Sequence, residues 1–271
     1  LIFFCVSSAN AKIIPKYAEK LTFLRDAQGR NLPDISGLVF SADGKRVFVG
    51  NHLKGDTTKS IFQFDLGTAW DISTLDISSE VTASIYGHGQ NPANDSKLSI
   101  EFNNDGTKIF ILGGFGASTH IYNLTTAYDI SSMSSDTIVP DDGIDWTDFD
   151  GKVSGVSSLK YDIDFNNDGT KMYLLDGLNT TSNIMEFNLG TPYDQSTASF
   201  SHLLDLEGEL ARFAMELEFD DDGTRMYVTE AHTAPTTNYI YVYKLSTPFA
   251  VSSSKYVGKY EIAYRGSTDE I

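Results

Sequence analysis

The chain has 271 residues and carries 37 acidic against 20 basic side chains, which gives a formal net charge of −17 at pH 7. This charge argues against a nucleic acid as the main partner, because binding to phosphates requires a basic surface. With 41% hydrophobic and 12% aromatic residues, the chain has enough apolar side chains to bury a core. It contains no run of about 18 uncharged apolar residues, so the sequence predicts no membrane-spanning helix.

The first eleven residues are typical of the end of a secretory signal peptide. An apolar stretch over residues 1–6 is followed by small residues that end in Ala-Asn-Ala, a pattern for cleavage after Ala11. The pattern also indicates that the sequence starts inside the signal. Because Cys5 is the only cysteine, the predicted mature chain, residues 12–271, has no disulfide. We therefore predict a secreted or periplasmic protein.

One sequence block occurs four times and organises the rest of the chain. Each copy holds two short segments of alternating polarity joined by Asp-Gly, a pair that favours a tight β-hairpin. The turn glycines of the four copies are Gly44, Gly106, Gly169 and Gly223. A third predicted strand follows each hairpin and leads to an aromatic residue after Thr-Ala or Thr-Pro. These aromatics, predicted to plug the outer end of each repeat, are Trp70, Tyr128, Tyr193 and Phe249.

A fourth, outer strand is predicted in each repeat, near residues 80–86, 198–206 and 256–264, while residues 136–149 are harder to place. Four strands per repeat predict an all-β fold, a β-propeller of four-stranded antiparallel blades. The repeats of this domain, which covers residues 12–271, lie near 35–86, 97–149, 159–206 and 213–264.

The number of blades stays open between two alternatives. Residues 16–23 resemble residues 255–262, so five outer strands accompany four inner triplets. This surplus favours the N-terminal part of a larger propeller that continues past residue 271. A self-contained ring of four blades is the alternative.

The hairpin sequence resembles the WD40-like blades of secreted bacterial propellers of the TolB-like and lactonase-like kind. Those blades carry an aromatic residue, a Ser or Asn, and then Asp-Gly followed by a basic residue. The resemblance covers nearly all of the chain after residue 16 and implies the propeller fold. It does not specify an activity, because these families include scaffolds, binding proteins and a few enzymes.

Acidic residues occupy equivalent places on the predicted innermost strands, and period-two alternation places them near the propeller axis. They are Glu101, Asp162, Asp164, Glu216 and Glu218. Carboxylate oxygens in this arrangement are ligands that Ca²⁺ accepts, which makes a metal site one interpretation. A hydrated channel without an ion is the other.

Three further candidate sites lie in predicted loops. Asp145, Asp148 and Asp150 form a second candidate Ca²⁺ site, although their spacing departs from that of an EF-hand. Trp146, between them, is placed to stack on a sugar ring. His52 and His232 stand at similar places after the second strand of their repeats, which suggests a two-histidine binding site. No residue is predicted to be catalytic, because no nucleophile or phosphate-binding motif occurs.

The main functional prediction is an exported, non-catalytic binding or scaffold propeller that presents loops to a carbohydrate, peptide or protein. The first alternative is a metal-assisted hydrolase or lactonase-like enzyme that uses the carboxylates of the innermost strands. The second is a segment of a surface layer or adhesin.

Overall fold

The computed structural model describes residues 35–51, 59–85, 98–113, 119–134, 137–139, 160–178, 181–206, 210, 213–231 and 237–263. These residues form sixteen β-strands and no α-helix. The strands are β1 Ile35–Phe40, β2 Arg46–Asn51, β3 Lys59–Leu66, β4 Leu75–Ile85, β5 Leu98–Phe102, β6 Lys108–Gly113, β7 Thr119–Asn123, β8 Thr137–Val139, β9 Lys160–Phe165, β10 Lys171–Leu178, β11 Thr181–Leu189, β12 Ala198–Asp205, β13 Phe213–Phe219, β14 Arg225–Ala231, β15 Thr237–Leu245 and β16 Ser254–Ala263.

The strands pair into four antiparallel sheets of four, each in sequence order. Each sheet is one propeller blade, and we number the blades 1 to 4 along the chain. The predicted fold class, an all-β propeller of four-stranded antiparallel blades, is confirmed. The short strand β8 is the outer strand in the segment that the sequence left unplaced. In the described parts of the chain, no helix is long and apolar enough to cross a membrane.

The chain divides into two compact units, one containing blades 1 and 2 and the other containing blades 3 and 4. Each unit has an apolar core to which both of its blades contribute. In the first unit the rings of Phe48 and Phe102 lie 4.6 Å apart, and in the second unit Tyr173 and Phe219 repeat this contact at 4.5 Å. The same positions of the repeat therefore build both cores.

The Asp-Gly turns fold by a local hydrogen bond that recurs in all four blades. The aspartate carboxylate accepts the backbone N–H two residues later at 3.0 Å, as from Lys45 to Asp43 and from Thr224 to Asp222. The glycine that follows each aspartate has a positive φ between 66° and 70°. This conformation costs glycine little, which explains why the dipeptide recurs.

The recurring aromatic residues close these turns, which is a different place from the one predicted. Each aromatic donates its backbone N–H to the turn glycine of its own blade, as Phe249 does to Gly223 at 2.9 Å. Its ring covers the glycine so closely that a Cβ there would lie 2.2–2.3 Å from ring atoms. The prediction of a plug at the outer end of each repeat is therefore wrong in position. The ring covers the turn between the first and second strands.

A short 3₁₀ turn follows each aromatic, and in three blades an aspartate caps it. Asp71, Asp129 and Asp194 accept the N–H of the serine two residues later. Blade 4 has Ala250 at this place, with φ −104° and ψ 99° and no side-chain cap.

We expect Ala250→Asp to stabilise the protein, because Ser252 is already present as a donor and the backbone already has the capping conformation. The gain should be about 0.5 kcal/mol, which is at the low end for such a cap. The new carboxylate would lie near the carboxylate of Glu186, which accepts the neighbouring Val251 N–H, and the two negative charges repel each other. Urea denaturation measures this change. The reverse substitution Asp194→Ala should lower stability, and a lower stability for Ala250→Asp would contradict the prediction.

Candidate functional site

The structure places the predicted inner-strand carboxylates on the first strand of their blades. Glu101 lies on β5 in the first unit, and the other four lie in the second unit on β9 and β13. These two strands lie side by side. Asp162 and Asp164 are only 9% exposed, whereas Glu216 and Glu218 are partly exposed. The second unit therefore contains four carboxyl groups along two adjoining strands.

Asp162 links the two blades of the second unit. Its Oδ2 accepts the backbone N–H of Leu217 on β13 at 2.8 Å. Gly37 stands at the same repeat position in blade 1, where a Cβ would lie 2.5 Å from the carbonyl oxygen of Leu98. The carboxylate in blade 3 thus supplies an acceptor to a strand whose inner edge has no neighbouring strand to pair with.

Asp164 lies beside this contact and keeps its proton at neutral pH. Burial, followed by the negative charge of Asp162, raises the pKa of Asp164 from 3.8 to about 8. Hydrogen bonds from the N–H groups of Phe165 and Phe219 oppose this rise without cancelling it. A protonated carboxyl next to a charged one provides a proton donor and a proton acceptor in one place.

Among the described residues, no three His, Cys, Asp or Glu side chains are placed to hold one metal ion. The Ca²⁺ site at the inner-strand carboxyl groups stays a prediction, and we derive no chemical step through a metal. The other candidate residues lie outside the described residues, and their roles stay predictions. They are His52, Asp145, Trp146, Asp148, Asp150 and His232.

A second group of buried polar side chains lies at the ends of blades 3 and 4 opposite the Asp-Gly turns, which we call the loop ends. Asp176 on β10 is fully buried and pairs in register with Asn183. Glu230, at the same repeat position on β14, is 2% exposed and pairs with Ala214. The Oγ of Ser182 accepts the N–H of Ala214 at 3.1 Å and so connects the two blades. Sequence reasoning missed this group, because a single acidic residue within an apolar strand carries no spacing pattern.

Tyr161 shows that Asp176 acts electrostatically at this end of the blade. Burial, followed by the negative charge of Asp176, raises the pKa of the Tyr161 hydroxyl above its ordinary value. The raised pKa keeps the Tyr161 hydroxyl protonated to a higher pH than an ordinary tyrosine. The loop ends of the second unit thus combine hydroxyl, amide and carboxyl groups.

No protein-family model and no curated protein matches the sequence. Solved structures match its fold. Periplasmic gluconolactonase of Pseudomonas aeruginosa is 14% identical with a TM-score of 0.49, and the match covers 83% of this chain and 56% of that protein. A Bacteroides fragilis protein provisionally assigned as a 6-phosphogluconolactonase is 12% identical with a TM-score of 0.44, over 84% and 55% of the chains. The resemblance to lactonase-like propellers is confirmed at the level of the fold.

A third match is the exo-β-1,3-galactanase of Phanerochaete chrysosporium with galactose, which is 13% identical with a TM-score of 0.50. It covers 88% of this chain and 52% of that protein. The chain thus spans about half the length of these three matched proteins. The comparisons contradict the prediction of a non-catalytic binding or scaffold module, because the matched propellers are named as enzymes.

Proposed function

We propose that the chain is a lactonase-like hydrolase in which Asp162 and Asp164 transfer the protons. The supporting observation is the pair of buried carboxyl groups on the first strand of blade 3, where burial and the charge of Asp162 raise the pKa of Asp164 to about 8. The substrate class follows the names of the matched gluconolactonase and 6-phosphogluconolactonase. The proposed substrate is therefore the lactone of a sugar acid, which is a carbohydrate partner.

The reaction needs one proton acceptor and one proton donor. Water attacks the lactone carbonyl carbon while Asp162 accepts a proton from that water. The bond from the carbonyl carbon to the ring oxygen then breaks, and the ring oxygen takes the proton of Asp164. The product is an open-chain hydroxy acid. Proton transfer from Asp162 to Asp164 restores the starting state, and no oxidant or reductant is consumed.

We further propose that the protein acts after export. The apolar segment and the Ala-Asn-Ala sequence before residue 12 support a secretory signal. The net charge of −17 supports solubility in an extracellular or periplasmic medium.

Hydrolysis of D-glucono-δ-lactone in a pH-stat, with the uncatalysed rate subtracted, tests the proposed enzyme. We expect Asp164→Asn and Asp162→Asn each to lower kcat about 100-fold, because each removes one partner of the proton transfer. The wild-type kcat should fall as the pH rises above about 8, where Asp164 loses its proton. Asp164→Asn should lack this fall in rate.

Asp168→Asn is a matched control, because Asp168 is an exposed carboxylate in the turn that follows β9. It should keep the wild-type rate. Wild-type protein that does not exceed the uncatalysed rate would overturn the proposed activity. Folded Asp162→Asn and Asp164→Asn variants with wild-type kcat would overturn the assigned residues.

A further inference from the structure

Glu230 is a buried carboxylate of which only one of the two oxygens accepts a hydrogen bond. It is 2% exposed, and its Oε2 accepts the hydroxyl proton of the fully buried Tyr241 at 2.6 Å. Its other oxygen, Oε1, is buried and accepts no hydrogen bond. A buried carboxylate oxygen without a donor is costly, so such an atom in a native protein calls for a physical explanation.

The described residues around Glu230 do not supply the missing donor. Tyr241, which belongs to the same apolar core as Leu217 and Val228, already donates to the other oxygen. The corresponding residue of blade 2 is Gly113, so the fold does not require an acid at this place. The carboxylate is therefore a feature of the second unit and not of the blade architecture.

We propose that Oε1 of Glu230 accepts a hydrogen bond from a hydroxyl group of a polyhydroxylated ligand at the loop ends of blades 3 and 4. Ser182 and Asn183 are the neighbouring polar side chains at these ends. A cation is a poorer fit, because no three metal-ligating side chains converge among the described residues. This inference rests on the proposed function for the identity of the ligand, a sugar acid derivative.

The spacing along β13 fits one ligand that contacts both groups of acids. Ala214 pairs with Glu230, and Leu217 donates to Asp162. β13 has a register shift between these two positions, and their partners on β14, Glu230 and Val228, are two residues apart, which corresponds to about 7 Å. The carbon chain of an extended six-carbon sugar acid has about this length. Glu230 would thus fix the hydroxylated end while the carbonyl end lies toward Asp162.

Isothermal titration with D-gluconamide tests the subsite without turnover, and hexanamide is the matched ligand without hydroxyl groups. Both ligands are neutral, which avoids repulsion by the acidic protein. We expect Glu230→Gln to weaken D-gluconamide binding about 10-fold, since hydrogen bonds to charged groups are stronger than those to neutral ones. Hexanamide affinity should not change. Tyr241→Phe should also weaken the binding of D-gluconamide, whereas Tyr239→Phe on the same strand should leave this affinity unchanged.

Three outcomes would overturn the inference: no wild-type binding of D-gluconamide, an unchanged affinity in Glu230→Gln, or equal losses for both ligands. Circular dichroism and the thermal midpoint would show that each variant is folded. Binding through Glu230 without lactone hydrolysis would remove the proposed enzyme and leave the subsite. Lactone hydrolysis by the wild-type protein, together with unchanged D-gluconamide binding in Glu230→Gln, would remove the subsite and leave the proposed enzyme.

Discussion

Replacing Gly223 by alanine is expected to destabilise the second unit by about 3–5 kcal/mol. The residue has φ +66°, a conformation that costs an L-residue roughly 1–2 kcal/mol. The added Cβ would also lie 2.2 Å from Cδ2 of Phe249, so the ring must leave its place. Moving the ring disrupts the hydrogen bond from Phe249 N to Gly223 O and the contact with Phe219 at 5.6 Å. Urea denaturation of both proteins measures the loss.

Gly258→Ala is the matched control, because no atom lies within 4 Å of a Cβ at that position. Its stability should stay within about 0.5 kcal/mol of wild type. The double variant Gly223→Ala, Phe249→Ala should lose less than the sum of its two single variants, since the overlap is absent without the ring. Simple additivity, or a Gly223→Ala variant as stable as Gly258→Ala, would contradict the interpretation of the aromatic cover.

The Asp-Gly turn shows which features of this protein can be predicted from its sequence. The repeated Asp-Gly and the alternating segments predicted both the hairpins and the blades, because these signals are local. The contact between Phe249 and Gly223 could not be read in the same way. It depends on the chain returning to the turn after the third strand, and on a positive φ of 57° at Phe249 itself.

The same distinction between local and non-local signals applies to the candidate site. Alternation along β9 correctly placed Asp162 and Asp164 on one face of an innermost strand. It did not reveal that β13 donates a hydrogen bond to Asp162, or that burial keeps Asp164 protonated, because both depend on the adjoining blade. Glu230 was missed for a related reason. A single acid within an apolar strand carries no spacing pattern, and only its burial and its unused oxygen make it notable.

Replacing Glu186 by alanine is the second large change that we expect, with a loss of about 3 kcal/mol. Glu186 on β11 is 3% exposed and joins blades 3 and 4. Its Oε1 accepts from Lys171 Nζ and its Oε2 from the N–H of Val251, both at 2.7 Å. Alanine leaves the ammonium group and the N–H without this acceptor. The Lys171 side chain is 24% exposed, so water can solvate its ammonium group. The expected loss of stability is therefore at the lower end of the range for breaking a buried ion pair.

Blade 1 offers the matched control for this prediction. Gln63 occupies the position of Glu186 there, and its Oε1 accepts the N–H of Ile130 at 2.9 Å. Glu186→Gln should therefore preserve the contact with Val251 and lose only about 1 kcal/mol, the part due to the charge of Lys171. Hydrogen exchange at the Val251 amide separates the two contributions, since it should speed up strongly in Glu186→Ala and little in Glu186→Gln. Equal exchange rates in the two variants would show that the ion pair, and not the acceptor for the 3₁₀ turn, joins the blades.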